Sequence, residues 1–310
     1  MRKHLAAPLA LIVAVALAGC GLGAGPVPSA IHLIVTREFG ASTLAPNGPL
    51  QVRGEETVMS LLMRNYTVAT RYGGGFVQSI DGLPGGSEGG QPVDWFYYVN
   101  GVEASKGAAA TTVHPGDHVW WDHHDWSQTD SIPAVVGSFP EPFLNGIEGK
   151  RLPVRVECTD VPGHACQTVT ARLRAFGVPA AITQFGSGGA PETLRLIVGP
   201  WAAVAGDLDA QSVTEGPRAS GVYVRFSKNG KQLLLLNQDG QLARTIATGA
   251  GLVAATRRSE DAPVWEITGT DEAGVEAAAR AFNQSTLRNR FAVAVTGSET
   301  LPLPIPEPPR

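Results

Sequence analysis

The stretch Trp95-Phe96-Tyr97-Tyr98-Val99-Asn100-Gly101-Val102 decides how the first half of the chain folds. Its aromatic and β-branched residues suit a pleated, half-buried surface. Asn100-Gly101 is a two-residue hairpin signal, so the chain turns back into Val102 and Glu103. Neighbours on a strand point to opposite faces. Trp95, Tyr97 and Val99 therefore share one face, and Phe96 and Tyr98 the other. Upstream, Val58, Leu61, Leu62 and Tyr66 recur at helical spacing within Glu55 to Tyr66. Ile31 to Thr36 reads as a first strand, and Gly73-Gly74-Gly75 opens an extended stretch to Ile80. Pro115-Gly116-Asp117 makes a turn into a closing strand from His118. The order of strand, helix and several strands predicts a small α+β domain over 31–128, with a helix packed on a mostly antiparallel sheet.

The second half has an α/β rhythm, expected over 150–297. Val154, Val156 and Cys158 alternate with polar residues as in a half-buried strand. Val169, Leu173 and Phe176 lie on one face of a helix ending at Gly177. Asn229-Gly230 and Asp239-Gly240 are hairpin turns, which make Val222 to Ile246 a three-stranded antiparallel meander. Val275, Ala278, Ala279 and Phe282 form the apolar face of a second helix. Between the halves, 129–149 is a connector punctuated by Pro133, Pro140 and Pro142, expected to drape over the first domain. The Pro-rich stretch 298–310 is expected to be a mobile tail.

The N-terminus bears on location. Arg2 and Lys3 precede an apolar run from Leu5 to Leu17, too short for the about 20 residues that span a bilayer. Leu17-Ala18-Gly19-Cys20 then places small residues directly before a cysteine. This order resembles the lipobox of bacterial lipoproteins. It implies a signal peptide over 1–20, acylation (as by palmitate) at Cys20, and a lipid-anchored place on the extracytoplasmic face of the cell membrane. The Gly- and Pro-rich 21–30 would be the tether. Two cysteines remain, Cys158 and Cys166, and an oxidising exterior favours their pairing. A zinc site there lacks a second Cys or His pair at ligand spacing, although His164 lies between them. The formal net charge is −4 and no basic patch stands out, which argues against a nucleic-acid partner.

The aromatic run, followed by Gly107-Ala108 and His114-Pro115-Gly116-Asp117 and preceded by Thr57-Val58, resembles the DUF4430 domain. That domain is similar to the C-terminal β-grasp-like domain of the cobalamin carriers transcobalamin and intrinsic factor. The resemblance covers roughly Ile31 to Trp126 and implies a β-grasp-like fold. It also implies ligand contacts at Gly74, Gly75, Phe76 and Val77, and on the aromatic strand at Tyr98, with Phe96 on the same face. A third contact position in the carriers falls near Ser105, which is polar here. Four of the six tryptophans and four of the five tyrosines fall in this domain, more than it can bury alone. Accessible aromatic faces serve as binding platforms.

Other constellations weigh less. Asp122-His123-His124-Asp125 offers metal-ligand chemistry, but adjacent strand residues diverge, so solvated polar strand tips are the plainer expectation. Gly249-Ala250-Gly251-Leu252-Val253-Ala254 fits a dinucleotide fingerprint, yet a polar loop follows where a helix is required. No zincin or P-loop motif occurs. The expected role is binding without catalysis and without a resident cofactor. One version captures a small molecule, such as a corrinoid (cobalamin), for a membrane importer. The alternative is a cell-envelope scaffold that docks protein.

Overall fold

The computed structural model describes residues 30–46, 49–188 and 190–306. Cys20 and the tether up to Ser29 lie outside the described residues, as does 307–310. The fold is α+β: an N-terminal mixed sheet, then a second mixed sheet with helices.

In the first domain the strand Ala30–Arg37 runs parallel to the closing strand His118–Asp125, which pairs antiparallel with the aromatic strand Gln91–Val99. The sheet is mostly antiparallel, as expected, and this one parallel pair makes it mixed. A parallel pair needs a long crossover, and the intervening chain with its helix Val58–Asn65 supplies it. Thr57 caps that helix: its hydroxyl accepts from Ser60 N at 3.2 Å, and Ser60 Oγ accepts from Thr57 N at 2.8 Å. Val58, Leu61 and Leu62 bury against Leu33, Val35, Trp95, Val119 and Trp121 on one face of the sheet. Trp95 therefore lies in the core on the helix side, as its parity requires.

In the second domain, Ala180–Gln184, Val154–Cys158, Leu194–Pro200 and Val264–Gly269 are parallel neighbours. Ala250–Thr256, Ala292–Thr296 and Glu299–Leu303 continue the sheet antiparallel. Val224–Phe226, Leu233–Leu236 and Leu242–Ile246 form the expected antiparallel meander as a separate sheet. Gly251 stands under the helix Glu272–Ala281, where a Cβ would come within 2.4 Å of Gly274 O. The glycines of this stretch allow a helix to lie close on a strand, with no loop for a phosphate.

Two connections differ from expectation. The stretch expected as a mobile tail contains the edge strand Glu299–Leu303. Pro302 is tolerated there because an edge position leaves its missing N–H unneeded. The chain is tied again where Ile305 N donates to Leu236 O at 2.9 Å. The Pro-rich connector does not drape over the first domain alone. It is wedged between the two, with Val135 N donating to Gly101 O at 2.9 Å and Val136 N to Phe291 O at 3.1 Å. Ile132, Val135, Val136 and Phe139 are buried there.

Cys158 and Cys166 form a disulfide that joins the end of a strand to the helix His164–Ala175, across a sequence separation of 8. Closing so short a loop in the unfolded chain is worth about 2–3 kcal/mol. Cys158→Ala combined with Cys166→Ala should lower the unfolding free energy by about that much. Denaturant titration measures it, and an unchanged midpoint would show that the bridge contributes nothing.

Candidate functional site at the domain seam

The face of the aromatic strand expected to meet ligand is occupied. Register places Ile34, Thr36, Phe96, Tyr98, Trp120, Asp122 and His124 on the sheet face away from the helix. The second domain covers that face. Tyr98 is 0% exposed, with its ring 5.7 Å from Trp120 and 5.6 Å from Phe291. Phe96 stacks on His124 at 4.4 Å, and Phe39 packs edge-on to Tyr223 at 5.2 Å. Phe96 and Tyr98 are therefore seam residues and not an open platform. Tyr98 and Trp120 are buried by a partner within the same chain, whereas Tyr72 and Trp126 stay exposed.

The other expected contacts lie elsewhere. Val77 is buried in the helix-side core. Gly74 is half-buried, Gly75 is exposed, and Phe76 is 40% exposed beside Tyr72, which is 85% exposed. The structure does not bring these four together with Phe96 and Tyr98 into one site. Ser105 borders a cleft of about 340 Å³ on the seam, whose rim includes Glu103, Glu148, Lys150, Glu192 and Arg257. Lys150 is held by Glu192 at 2.7 Å.

The Asp-His cluster is buried rather than a solvated strand end, because both faces of the closing strand are covered. Asp122 accepts from Phe39 N at 3.1 Å, Gly40 N at 2.9 Å and the Thr36 hydroxyl, and sits 2.9 Å from His124 Nδ1. His123 points the other way, with Nε2 3.0 Å from Pro84 O. Asp125 Oδ1 accepts from Ser127 N at 2.6 Å. The acceptor capacity of Asp122 is spent on backbone and side-chain donors, which leaves a metal little to bind.

The larger seam cleft, about 690 Å³, gathers polar groups that the sequence did not single out together. The closing strand supplies His118; the connector supplies Ser138, Glu141 and Asn145. Ser138 Oγ lies 2.9 Å from His118 Nδ1. Burial, and then the nearby His32 and Arg288, push the His118 imidazole down to about 4, so it is neutral at physiological pH. Glu141 is only 4% exposed, yet its carboxylate accepts from Asn145 N at 2.8 Å and from the Asn145 side-chain amide. Burial pushes its carboxyl up to about 7, against those hydrogen bonds; Asp117 adds to the rise and Arg151 opposes it. Phe139, Leu144 and Phe176 give the cleft an apolar wall, and His32 and Arg288 stand at its exposed rim. The pattern of few polar groups on a concave, partly apolar surface suits small-molecule binding. Sequence reading passed over these residues because the connector carries no motif. The only signal was Glu141 and Asn145 lying among prolines and apolar residues that need burial.

Because Tyr98 is core, Tyr98→Ala should cost about 3–5 kcal/mol of stability, as large deletions in a core do. Urea denaturation reads this directly. A variant as stable as the wild type would return Tyr98 to the surface.

Residues 55–125 match the family model described as Domain of unknown function (DUF4430). No curated protein matches the chain. The chain contains a DUF4430 domain at residues 55–125, to which the structure adds the parallel strand Ala30–Arg37 and a second domain packed on its aromatic face.

Proposed function

We propose that the chain is a membrane-anchored, extracytoplasmic binding lipoprotein that captures a small molecule in the larger seam cleft. The observation carrying the reading is the cleft itself: about 690 Å³, walled by both domains and the connector, and lined by buried Ser138 and Glu141 and half-buried His118. The Leu17-Ala18-Gly19-Cys20 order supports acylation at Cys20. Capture without turnover, and delivery to a membrane transporter component, complete the proposal. The resemblance to the carriers' β-grasp-like domain supports a ligand held between two domains. It lends less to a corrinoid, because Phe96 and Tyr98 are covered. A second reading, an envelope scaffold that docks protein, is favoured by the exposed pair Tyr72 and Phe76, 6.2 Å apart.

Two arms test the proposal. Detergent phase partitioning should place the wild type in the detergent phase and Cys20→Ser in the aqueous phase; equal aqueous partitioning ends the lipoprotein reading. The full chain in detergent should be stabilised thermally by a member of a panel of corrinoids, sugars, amines and organic acids. Gln284→Trp, at an exposed position lining the cleft, should abolish that shift. A shift that survives the substitution, or no shift across the panel, would count against capture in this cleft.

A further inference from the structure

The larger seam cleft has a chemical bias. Its inner side is rich in hydrogen-bond acceptors. Glu141 brings a carboxylate with room for about four hydrogen bonds, of which Asn145 supplies two. The Asn145 side-chain amide is spent as a donor on Glu141 and on Gly116 O at 3.2 Å, which leaves its own oxygen as an acceptor. Asn289 Oδ1, on the same lining, is buried without a donor. His118 and Ser138 spend a nitrogen and a hydroxyl on each other. Among the described residues lining the cleft, the fixed cation is Arg288, exposed at the rim. The lining is otherwise largely apolar and aromatic, with Phe139 and Phe176 ring centroids 5.3 Å apart.

Resting on the capture reading above, we propose that this cleft selects a small organic amine, its ammonium paired with the Glu141 carboxylate and its apolar body against Phe139, Leu144 and Phe176. An ammonium brings three donors and no acceptor, which matches the inner side. Aromatic faces attract an organic cation further. A carboxylate ligand would meet a buried carboxylate and a neutral imidazole. A hard metal ion needs about six oxygen ligands, and among the described residues no group of three or more His, Cys, Asp or Glu is set to hold a metal.

The pairing makes affinity depend on pH with a definite sign. The groups acting on Glu141 are Asp117, which raises its carboxyl, and Arg151 with the Asn145 donors, which lower it. His32 and Arg288 share the cleft, and His118 stays neutral down to about 4. Glu141 is protonated below about 7 and must ionise to hold an ammonium. Amine affinity should therefore rise about tenfold from pH 6 to pH 8, with release of a proton.

The test is calorimetric titration of the full chain in detergent with 2-phenylethylamine, 2-phenylethanol and phenylacetate. The amine should bind at least tenfold tighter than either control and weaken about tenfold from pH 8 to pH 6. Glu141→Gln, which keeps an oxygen for Asn145, should lose at least tenfold in amine affinity and flatten the pH profile. The wild-type profile alone decides the sign should that variant misfold. An amine that binds no better than the alcohol, or a Glu141→Gln protein that binds it unchanged, overturns the inference. Tighter binding of phenylacetate or the alcohol, blocked by Gln284→Trp, removes the amine inference and leaves capture standing. No binding of any of the three also overturns the inference, while the ligand panel decides capture independently.

Discussion

Asp122 is a carboxylate with 0% exposure in the middle of a sheet. Buried polar oxygens are tolerable only when hydrogen-bond partners surround them. Here they come from the Thr36 hydroxyl, from Phe39 N and Gly40 N, and from the His124 ring. These bonds hold the turn after the first strand against the closing strand. Trp120 Nε1, donating to Thr36 Oγ1 at 2.7 Å, joins the same network. The turn so fixed presents Phe39 to the second domain, where its ring sits 4.7 Å from His124 and 5.3 Å from Phe291. Gly40 then touches the second domain's backbone: a Cβ there would come within 2.0 Å of Asn289 O. One buried acceptor thus sets the shape of the surface on which the domains meet.

Both seam clefts follow from that meeting. The sheet of the first domain has a helix on one face and the second domain on the other, so both faces are core. The connector fills the remaining gap, and where Gly137 passes Trp120 a Cβ would come within 2.6 Å of the indole. Close packing on both sides leaves the two clefts at the margins of the seam. Glu141 and Ser138 are buried because the connector is clamped, and the clamp is what turns an ordinary carboxyl into one pushed up to about 7.

Local features were legible in the sequence because local chemistry decides them. The parity of Trp95 against Tyr98 follows from the strand repeat. The helix Val58–Asn65 follows from the spacing of Val58, Leu61 and Leu62, which bury together on one side. The hairpin turns of the meander and the Cys158–Cys166 pair were equally readable. What covers the Tyr98 face was not readable. Phe291 and Tyr223 lie far along the chain, and nothing in their neighbourhood marks them as partners of Phe96 or Trp120. The DUF4430 resemblance pointed at the right strand, but it carried no information about the second domain. The closing strand's polar residues read as solvent-facing for the same reason: their burial is a tertiary event. Proline content misled at Pro302, where an edge strand accepts it, and in the connector, where apolar residues between the prolines are anchors.

Packing through Phe39, Tyr98, Trp120, Tyr223 and Phe291 should make the two domains one cooperative unit. Buried apolar surface shared across a seam couples the unfolding of both sides. Differential scanning calorimetry of the full chain tests this most directly. A single transition is expected, with calorimetric and van't Hoff enthalpies that agree. Two resolved transitions, one for each domain, would contradict it.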